Sequence, residues 1–326
     1  MLKNLESAWK LREETKSFEN TEALRIFYGP TEGQGRSEIA ANIAIDQYGR
    51  HAWVTEWESS NGQSESKIER KAAINEIVEF LKKKNYQSAV ALFRPEKNIP
   101  SEPEILFGEP PAERFSVHEG PAKFWIQLRE LKHPGLFLDH APLRKWLHGN
   151  MKGLKVLNTF AYTGSLSVAA GLGKASHVTT LDLSKPTIEW ARANWSLNGL
   201  AEDASDFIYG DYFEWLPKLH RKDRQFDCVI LDPPSFSRGK KGNFSTSKDL
   251  VALHEHALDV LAPGGFLITS INSANIAKKK YAAEIQAACK SKKMKLEIVR
   301  EISLPPSFPI PAGEEPYLKG WVLKRL

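Results

Sequence analysis

The chain has 326 residues, 41% of them hydrophobic and 26% charged, with two cysteines and a formal net charge of +5. That length exceeds one small core and points to two domains. No apolar run reaches the roughly 18 residues of a membrane span, and the charged, amphipathic N-terminus has no leader-like apolar segment, so a cytoplasmic protein without membrane attachment is expected; Cys228 and Cys289 are too few for a disulfide framework or a cysteine-rich zinc site, and no metal is expected.

In chain order, residues 1–30 read as a helix ending near Asn20 and a strand through Leu24–Tyr28. Ile39 to Trp57 alternates like a hairpin turning at Tyr48-Gly49-Arg50, Lys67 to Lys84 carries apolar residues at helical spacing, and Gln87–Phe93 reads as a strand. Pro95, Pro100, Pro103, Pro110 and Pro111 mark a connector, because proline removes amide donors and fixes the backbone. Arg114 to Leu128 reads as a second hairpin turning at Glu119-Gly120-Pro121, and Gly135–His140 leads into a helix from about Pro142 to Gly149. A small α+β domain over residues 1–112 is therefore expected, followed over 113–326 by a larger domain with a hairpin extension.

From Leu154 the pattern becomes strand, glycine turn, helix, repeated. The strands are Lys155–Asn158, His177–Leu181, Asp206–Tyr209, Cys228–Leu231 and Phe266–Ser270, with helices such as Thr187–Asn198 and Lys248–Leu261 between them. Such alternation gives an α/β fold, a parallel Rossmann-like sheet covered on both faces. Lys295–Ile302 and Tyr317–Lys324 have no helix between them and should close the sheet antiparallel.

Ligands of open α/β sheets bind beyond the carboxyl ends of the strands. The first turn, Asn158-Thr-Phe160-Ala-Tyr162-Thr163-Gly164, lacks the three glycines that bring a backbone against a pyrophosphate, which argues for a cofactor without phosphates. Asp182 ends the second strand, 18 residues beyond Gly164, where a carboxylate can accept from both hydroxyls of a ribose, flanked by Leu183 and Ser184. Asp211, after Gly210 and before Tyr212, is placed to accept from an adenine amino group. Each feature alone has a plainer explanation: a tight connection for the turn, a helix cap for Asp182 or Ser184. The three in this order are more specific than any one. The fourth strand ends in Asp232-Pro233-Pro234-Ser235-Phe236, where paired prolines end the ladder and stiffen the corner. A rigid turn alone would not call for a flanking acid and an aromatic; Phe236 could stack on an extruded base.

Asn158–Gly164, Thr180-Leu-Asp182-Leu183-Ser184-Lys185 and Asp232–Arg238 resemble the bacterial large-subunit ribosomal RNA methyltransferases, a family with cytosine-C5 and guanine-N7 members. Gly135–His140 is similar to the segment ahead of the family's catalytic domain, Tyr317–Gly320 to its closing strand, and Asp46–Gly49 and Leu106–Glu109 extend the likeness over most of the chain. The resemblance implies a class I methyltransferase fold behind a small α+β domain, S-adenosyl-L-methionine as cofactor, and 23S ribosomal RNA or its precursor particle as partner, with a monomer and a homodimer both open. It makes Phe160, Tyr162, Gly164, Asp182 and Asp211, with neighbours Asn158, Thr163, Leu183, Ser184 and Tyr212, the candidate cofactor residues. Phe137 and Asp139 are candidates for closing over the donor. Asp232, Pro233, Pro234, Phe236 and Asn272 are the candidates for holding the target base.

Methylating a pyrimidine carbon requires a cysteine thiolate to activate the ring. The resemblance puts that cysteine after the fifth strand, where Asn272 stands here. Cys228 precedes Asp232 by about 13 Å of strand at roughly 3.3 Å per residue, and Cys289 falls in a late helix. Guanine N7 needs no covalent activation, only alignment with the methyl group, which can supply up to about 7–11 kcal/mol of the barrier; the nitrogen branch is therefore expected. Arg238, Lys240, Lys241 and Lys248 follow the catalytic corner and could meet a phosphate backbone. The alternatives are a methyltransferase for protein or small molecules and a catalytically silent RNA-binding assembly factor.

Overall fold

The computed structural model describes residues 1–33, 38–58, 67–94, 102–129, 133–234, 236–239, 242–245, 249–273 and 276–326, with the backbone alone at 38, 39, 67, 204, 236–239 and 242–245. They fall into two compact units, Met1–Asp139 with Pro305–Glu314, and His140–Leu304 with Glu315–Leu326.

The first unit runs α1 (Leu2–Glu14), β1 (Ala23–Tyr28), the single turns α2 (Gly29–Glu32) and α3 (Glu38–Ala41), β2 (Ile43–Tyr48), β3 (His51–Trp57), α4 (Lys67–Lys83), β4 (Ser88–Arg94) and β5 (Glu104–Phe107). Residues 39–41, expected in a strand, lie in the turn α3 instead, and the alternation of the hairpin begins at Ile43. The five strands form one sheet in chain order; only β3 and β4 are parallel, because α4 returns the chain between them. Leu5 and Ala8 of α1, Phe27, Ile45 and Val54 of the sheet, and Ile77 and Leu81 of α4 share its core. Within this unit Arg12 is fully buried, pairs through both terminal nitrogens with the Glu32 carboxylate, and donates from Nη2 to the Ser307 carbonyl at 3.0 Å.

The hairpin of β6 (Phe115–Glu119) and β7 (Ala122–Ile126) belongs to the first unit, so the contact boundary lies after Asp139 rather than after residue 112. Its backbone explains why. Glu22 N–H donates to the His118 carbonyl at 2.9 Å, and His118 N–H returns to Glu22 Oε2 at 3.0 Å.

After a 3₁₀ turn at Leu138–His140, the second unit runs α5 (Ala141–Asn150), β8 (Lys155–Thr159), α6 (Ser165–Leu172), β9 (His177–Asp182), α7 (Lys185–Leu197), β10 (Ser205–Tyr209), α8 (Tyr212–Arg221), β11 (Phe226–Leu231), β12 (Phe236–Gly239), β13 (Gly242–Ser245), α9 (Leu250–Val260), β14 (Leu261–Asn272), α10 (Lys278–Ser291), β15 (Leu296–Glu301) and β16 (Leu318–Arg325). The sheet order is β10-β9-β8-β11-β14-β16-β15, parallel as far as β14, with β16 antiparallel to both neighbours. This is a Rossmann-like α/β sheet, carried with an additional N-terminal α+β unit. Side chains alternate across it, as the pleat dictates. Val156, Ile230 and Ile268 meet Leu143, Leu147 and Leu166 on one face, while Leu157, Val229 and Leu267 meet Leu216, Leu253 and Tyr281 on the other. From β8 the chain winds outward to β10, then returns to β11 on the other side of β8. The order reverses there, so the crevice between the carboxyl ends of β8 and β11 is where such a sheet takes its ligand.

Candidate active site

One wall of the crevice is the turn after β8. Phe160, Tyr162 and Gly164 all have positive φ, at 53°, 49° and 74°. For the two aromatic residues this backbone costs on the order of 1–3 kcal/mol each, and it persists only where the surroundings dictate it. The dictating group is Asp182 at the end of β9. Its Oδ2 accepts from Tyr162 N–H at 2.8 Å, while Oδ1 accepts from Ser184 N–H at 2.9 Å and the Thr187 hydroxyl at 3.0 Å. Burial pushes the Asp182 carboxyl above its ordinary range, against the pull of these donors. Gly164 must be glycine on two grounds: its φ, and the approach of α7, where an added Cβ would stand 2.7 Å from the Ala191 Cβ. Asn194 Nδ2 ties the Thr163 carbonyl to the same helix at 2.9 Å.

Phe160 stacks on Tyr212, ring centroids 5.0 Å apart, and Tyr212 is itself buried with its hydroxyl donating to the Leu253 carbonyl at 2.7 Å. Tyr212 thus backs the Phe160 ring from the core. Asp211 uses Oδ1 to cap α8 through Phe213 N–H at 2.8 Å, which leaves Oδ2 to meet a ligand. At Gly210 beside it an added Cβ would fall 1.9 Å from Trp215 Nε1, so the indole would have to move. Leu183 is exposed and Ser184 begins α7.

Asn158 is buried at the foot of the turn; Nδ2 donates to Ser167 Oγ at 2.9 Å and Oδ1 receives no hydrogen bond from the protein. A buried acceptor left unpaired costs about 1–3 kcal/mol. The wall therefore holds a half-buried carboxylate and a second acid, which suit a ligand rich in hydroxyl and N–H donors.

The other wall is the corner after β11. Asp232 is gripped at both oxygens, by the Ser270 hydroxyl on Oδ1 at 2.7 Å and by His140 Nε2 on Oδ2 at 3.0 Å. Burial alone would raise its carboxyl; the charge of His140 and these two bonds outweigh that and hold it below the ordinary carboxylate range. His140 and Ser270 were not singled out from the sequence, although His140 stood inside a quoted motif; nothing local signals a pairing across 92 positions. Pro233 is buried, Pro234 exposed, and Asn272 is exposed at the end of β14, on the same face as Ser270.

The Thr159 hydroxyl donates to the Ile230 carbonyl at 2.7 Å and ties the ends of β8 and β11 together. Phe137 and Asp139 belong to the first unit, Phe137 exposed and Asp139 buried. Phe236 and Arg238 lie in β12, paired with β13, and Lys240, Lys241 and Lys248 fall outside the described residues. Cys228 is buried in β11 and Cys289 partly buried in α10, and burial pushes both thiols above their ordinary range. Among the described residues no three His, Cys, Asp or Glu side chains are grouped to hold a metal ion, and no helix is long and apolar enough to cross a membrane.

Known proteins resemble this chain in sequence and fold. A family model described as S-adenosylmethionine-dependent methyltransferase matches residues 86–316. The ribosomal RNA large subunit methyltransferase K/L of Shewanella pealeana is 40% identical over 57% of this chain, and the match spans 25% of that longer protein. The Bacillus subtilis protein YwbD, whose name carries a large-subunit ribosomal RNA methyltransferase assignment provisionally, is 30% identical over 99% of this chain and 80% of its own length. The crystal structure of SMU.776 complexed with SAH superposes with a TM-score of 0.86 at 27% identity, covering 99% of this chain and 80% of that one. With a matching model over residues 86–316 and a relative 30% identical over 99% of its length, the chain belongs to the S-adenosylmethionine-dependent methyltransferase family.

Proposed function

We propose that this protein transfers the methyl group of S-adenosylmethionine to a base nitrogen of large-subunit ribosomal RNA, with guanine N7 as the acceptor. The observation that carries the proposal is the pairing, across one switch in strand order, of the Asp182-braced turn with the gripped Asp232 corner. In this reading Asp182 accepts from a ribose hydroxyl through the one site left on its oxygens, Asp211 takes the adenine amino group through Oδ2, and the Phe160 and Tyr162 turn shapes the remaining surface. Bound there, S-adenosylmethionine supplies an electrophilic methyl group on a sulfonium. Asp232, Pro233, Pro234, Phe236 and Asn272 hold the base. Arg238, Lys240, Lys241 and Lys248 contact phosphates.

The choice of nitrogen follows from the thiols. Carbon-5 chemistry needs a thiolate; Cys228 is buried in β11 and Cys289 partly buried in α10, burial pushes both thiols above their ordinary range, and Asn272 stands exposed at the end of β14. The names of the K/L relatives support the RNA substrate, although the chain spans only 25% and 32% of the length of two of them. The test incubates purified protein with transcribed large-subunit ribosomal RNA and methyl-labelled donor, then identifies the labelled nucleoside by mass spectrometry. Label in 7-methylguanosine is expected; label in 5-methylcytosine refutes the nitrogen assignment. Absence of any calorimetric binding of S-adenosylhomocysteine would favour a silent assembly factor.

A further inference from the structure

We propose that His140 is a positioning residue for the target base: with Ser270 it fixes the orientation of the Asp232 carboxylate, which then reads the N–H edge of guanine. This rests on the reading above that an RNA base docks at the Asp232–Pro233–Pro234 corner.

His140 is only 5% exposed, at the end of the turn that leads into α5, and its Nε2 lies 3.0 Å from Asp232 Oδ2. Ser270 reaches the other oxygen from the neighbouring strand β14, at 2.7 Å. The carboxylate is thus held from two separate elements and cannot turn about its terminal torsion, ordinarily a soft one, without losing a bond. An ionised carboxylate offers about four lone-pair sites; two are used, and the side chain remains 25% exposed. What it presents outward is a fixed pair of acceptors with no donor.

Of the four RNA bases, only guanine offers two adjacent N–H donors, at N1 and N2, on one edge. Adenine and cytosine set a ring-nitrogen acceptor beside their amino group, and uracil flanks its N3–H with carbonyls. Against a rigid acceptor pair those bases leave acceptor facing acceptor, and sites built to satisfy a hydrogen-bonding partner reject mismatched ones steeply. Guanine held by that edge keeps its N7 lone pair clear on the other side of the ring. His140 matters because a protonated Asp232 would carry a donor and lose the discrimination. Its charge and hydrogen bond, with the Ser270 bond, hold the carboxyl below its ordinary range despite burial.

The test compares the full-length wild type with His140→Ala, His140→Gln and Ser270→Ala. S-adenosylhomocysteine binding by calorimetry serves as the control for folding and the donor site. All four proteins are expected to bind it within threefold of one another. With saturating donor and transcribed large-subunit ribosomal RNA, kcat for guanine methylation should fall about 100-fold in His140→Ala with the donor KM unchanged, the scale set by a misplacement of about 1 Å. Ser270→Ala should fall about tenfold. His140→Gln, whose amide can still donate to Oδ2, should recover to within about tenfold of wild type. A His140→Ala protein that binds the control ligand and keeps kcat within twofold overturns the proposal, as does a His140→Gln protein no faster than His140→Ala. Wild type that binds the control ligand yet methylates no guanine in that RNA is a different result, and overturns the RNA reading on which the proposal stands.

Discussion

Asp182→Asn separates the two tasks given to that side chain. In the wild type, one carboxylate accepts from Tyr162 N–H, Ser184 N–H and the Thr187 hydroxyl. An asparagine there keeps one oxygen, which best serves Ser184 and Thr187 and turns its amino group toward Tyr162 N–H. A donor then faces a donor, at about 1–3 kcal/mol, and the left-handed backbone of Tyr162 loses the bond that stabilises it, at about 1 kcal/mol more. The expected destabilisation is about 2–4 kcal/mol, which for a unit of this size lowers Tm by roughly 4–16 °C. Donor binding suffers separately. Hydrogen bonds to a charged acceptor contribute about 1.5–3 kcal/mol each against 0.5–1.5 for a neutral one, so the one ribose bond for which the carboxylate still has room, on becoming neutral, weakens affinity by about 1–1.5 kcal/mol, or roughly 5- to 13-fold. Differential scanning fluorimetry and calorimetry with S-adenosylhomocysteine measure the two effects. Affinity within threefold of wild type in a protein that melts normally would refute both the ribose role and the bracing of the turn.

Three further outcomes follow from packing and charge. Gly164→Ala forces a side chain into a left-handed backbone and against the Ala191 Cβ; a loss of about 2–4 kcal/mol is expected in urea unfolding, and a loss under 0.5 would mean that α7 yields freely. Arg12→Ala strands the partly buried Glu32 and should cost about 3–5 kcal/mol, read from the first unfolding transition. His254 donates from Nδ1 to the Leu250 carbonyl at 2.6 Å and accepts the Thr269 hydroxyl at Nε2, 2.9 Å away. Burial lowers its pKa to about 4. Its folded value lies below the unfolded one, so the unfolded chain binds the extra proton first, and stability falls as pH drops from about 6.5 to about 4, by roughly 3 kcal/mol. His254→Gln should flatten that part of the stability–pH curve, and an unchanged slope would exclude His254 as its source.

The sheet of the second unit was legible because burial on both faces demands continuous apolar strands, and strands such as Cys228–Leu231 read so directly. The turn and the double-proline corner were legible through residue types that few other conformations require. The grip on Asp232 was not, because His140 and Ser270 meet it only after three separate elements converge. Nor does alternation in residues 115–126 say which neighbour the hairpin will join; that is settled by Glu22, through its backbone N–H and its carboxylate together, although in the sequence it looks like any surface acid. Asp211 was read for its ligand and also caps a helix, a double use that one carboxylate with two oxygens permits.

The bond from Arg12 to the Ser307 carbonyl has a consequence for how the protein is born. On the ribosome, residues 1–139 emerge long before the stretch at 305–314 that completes their unit. Until then the buried guanidinium lacks one of its acceptors, and the first unit must wait, unfinished, through the synthesis of nearly the entire second. A nascent chain stopped after residue 304 should therefore be trimmed by protease within its first 139 residues more readily than the released protein, which ties the ripening of the leading unit to the arrival of the tail.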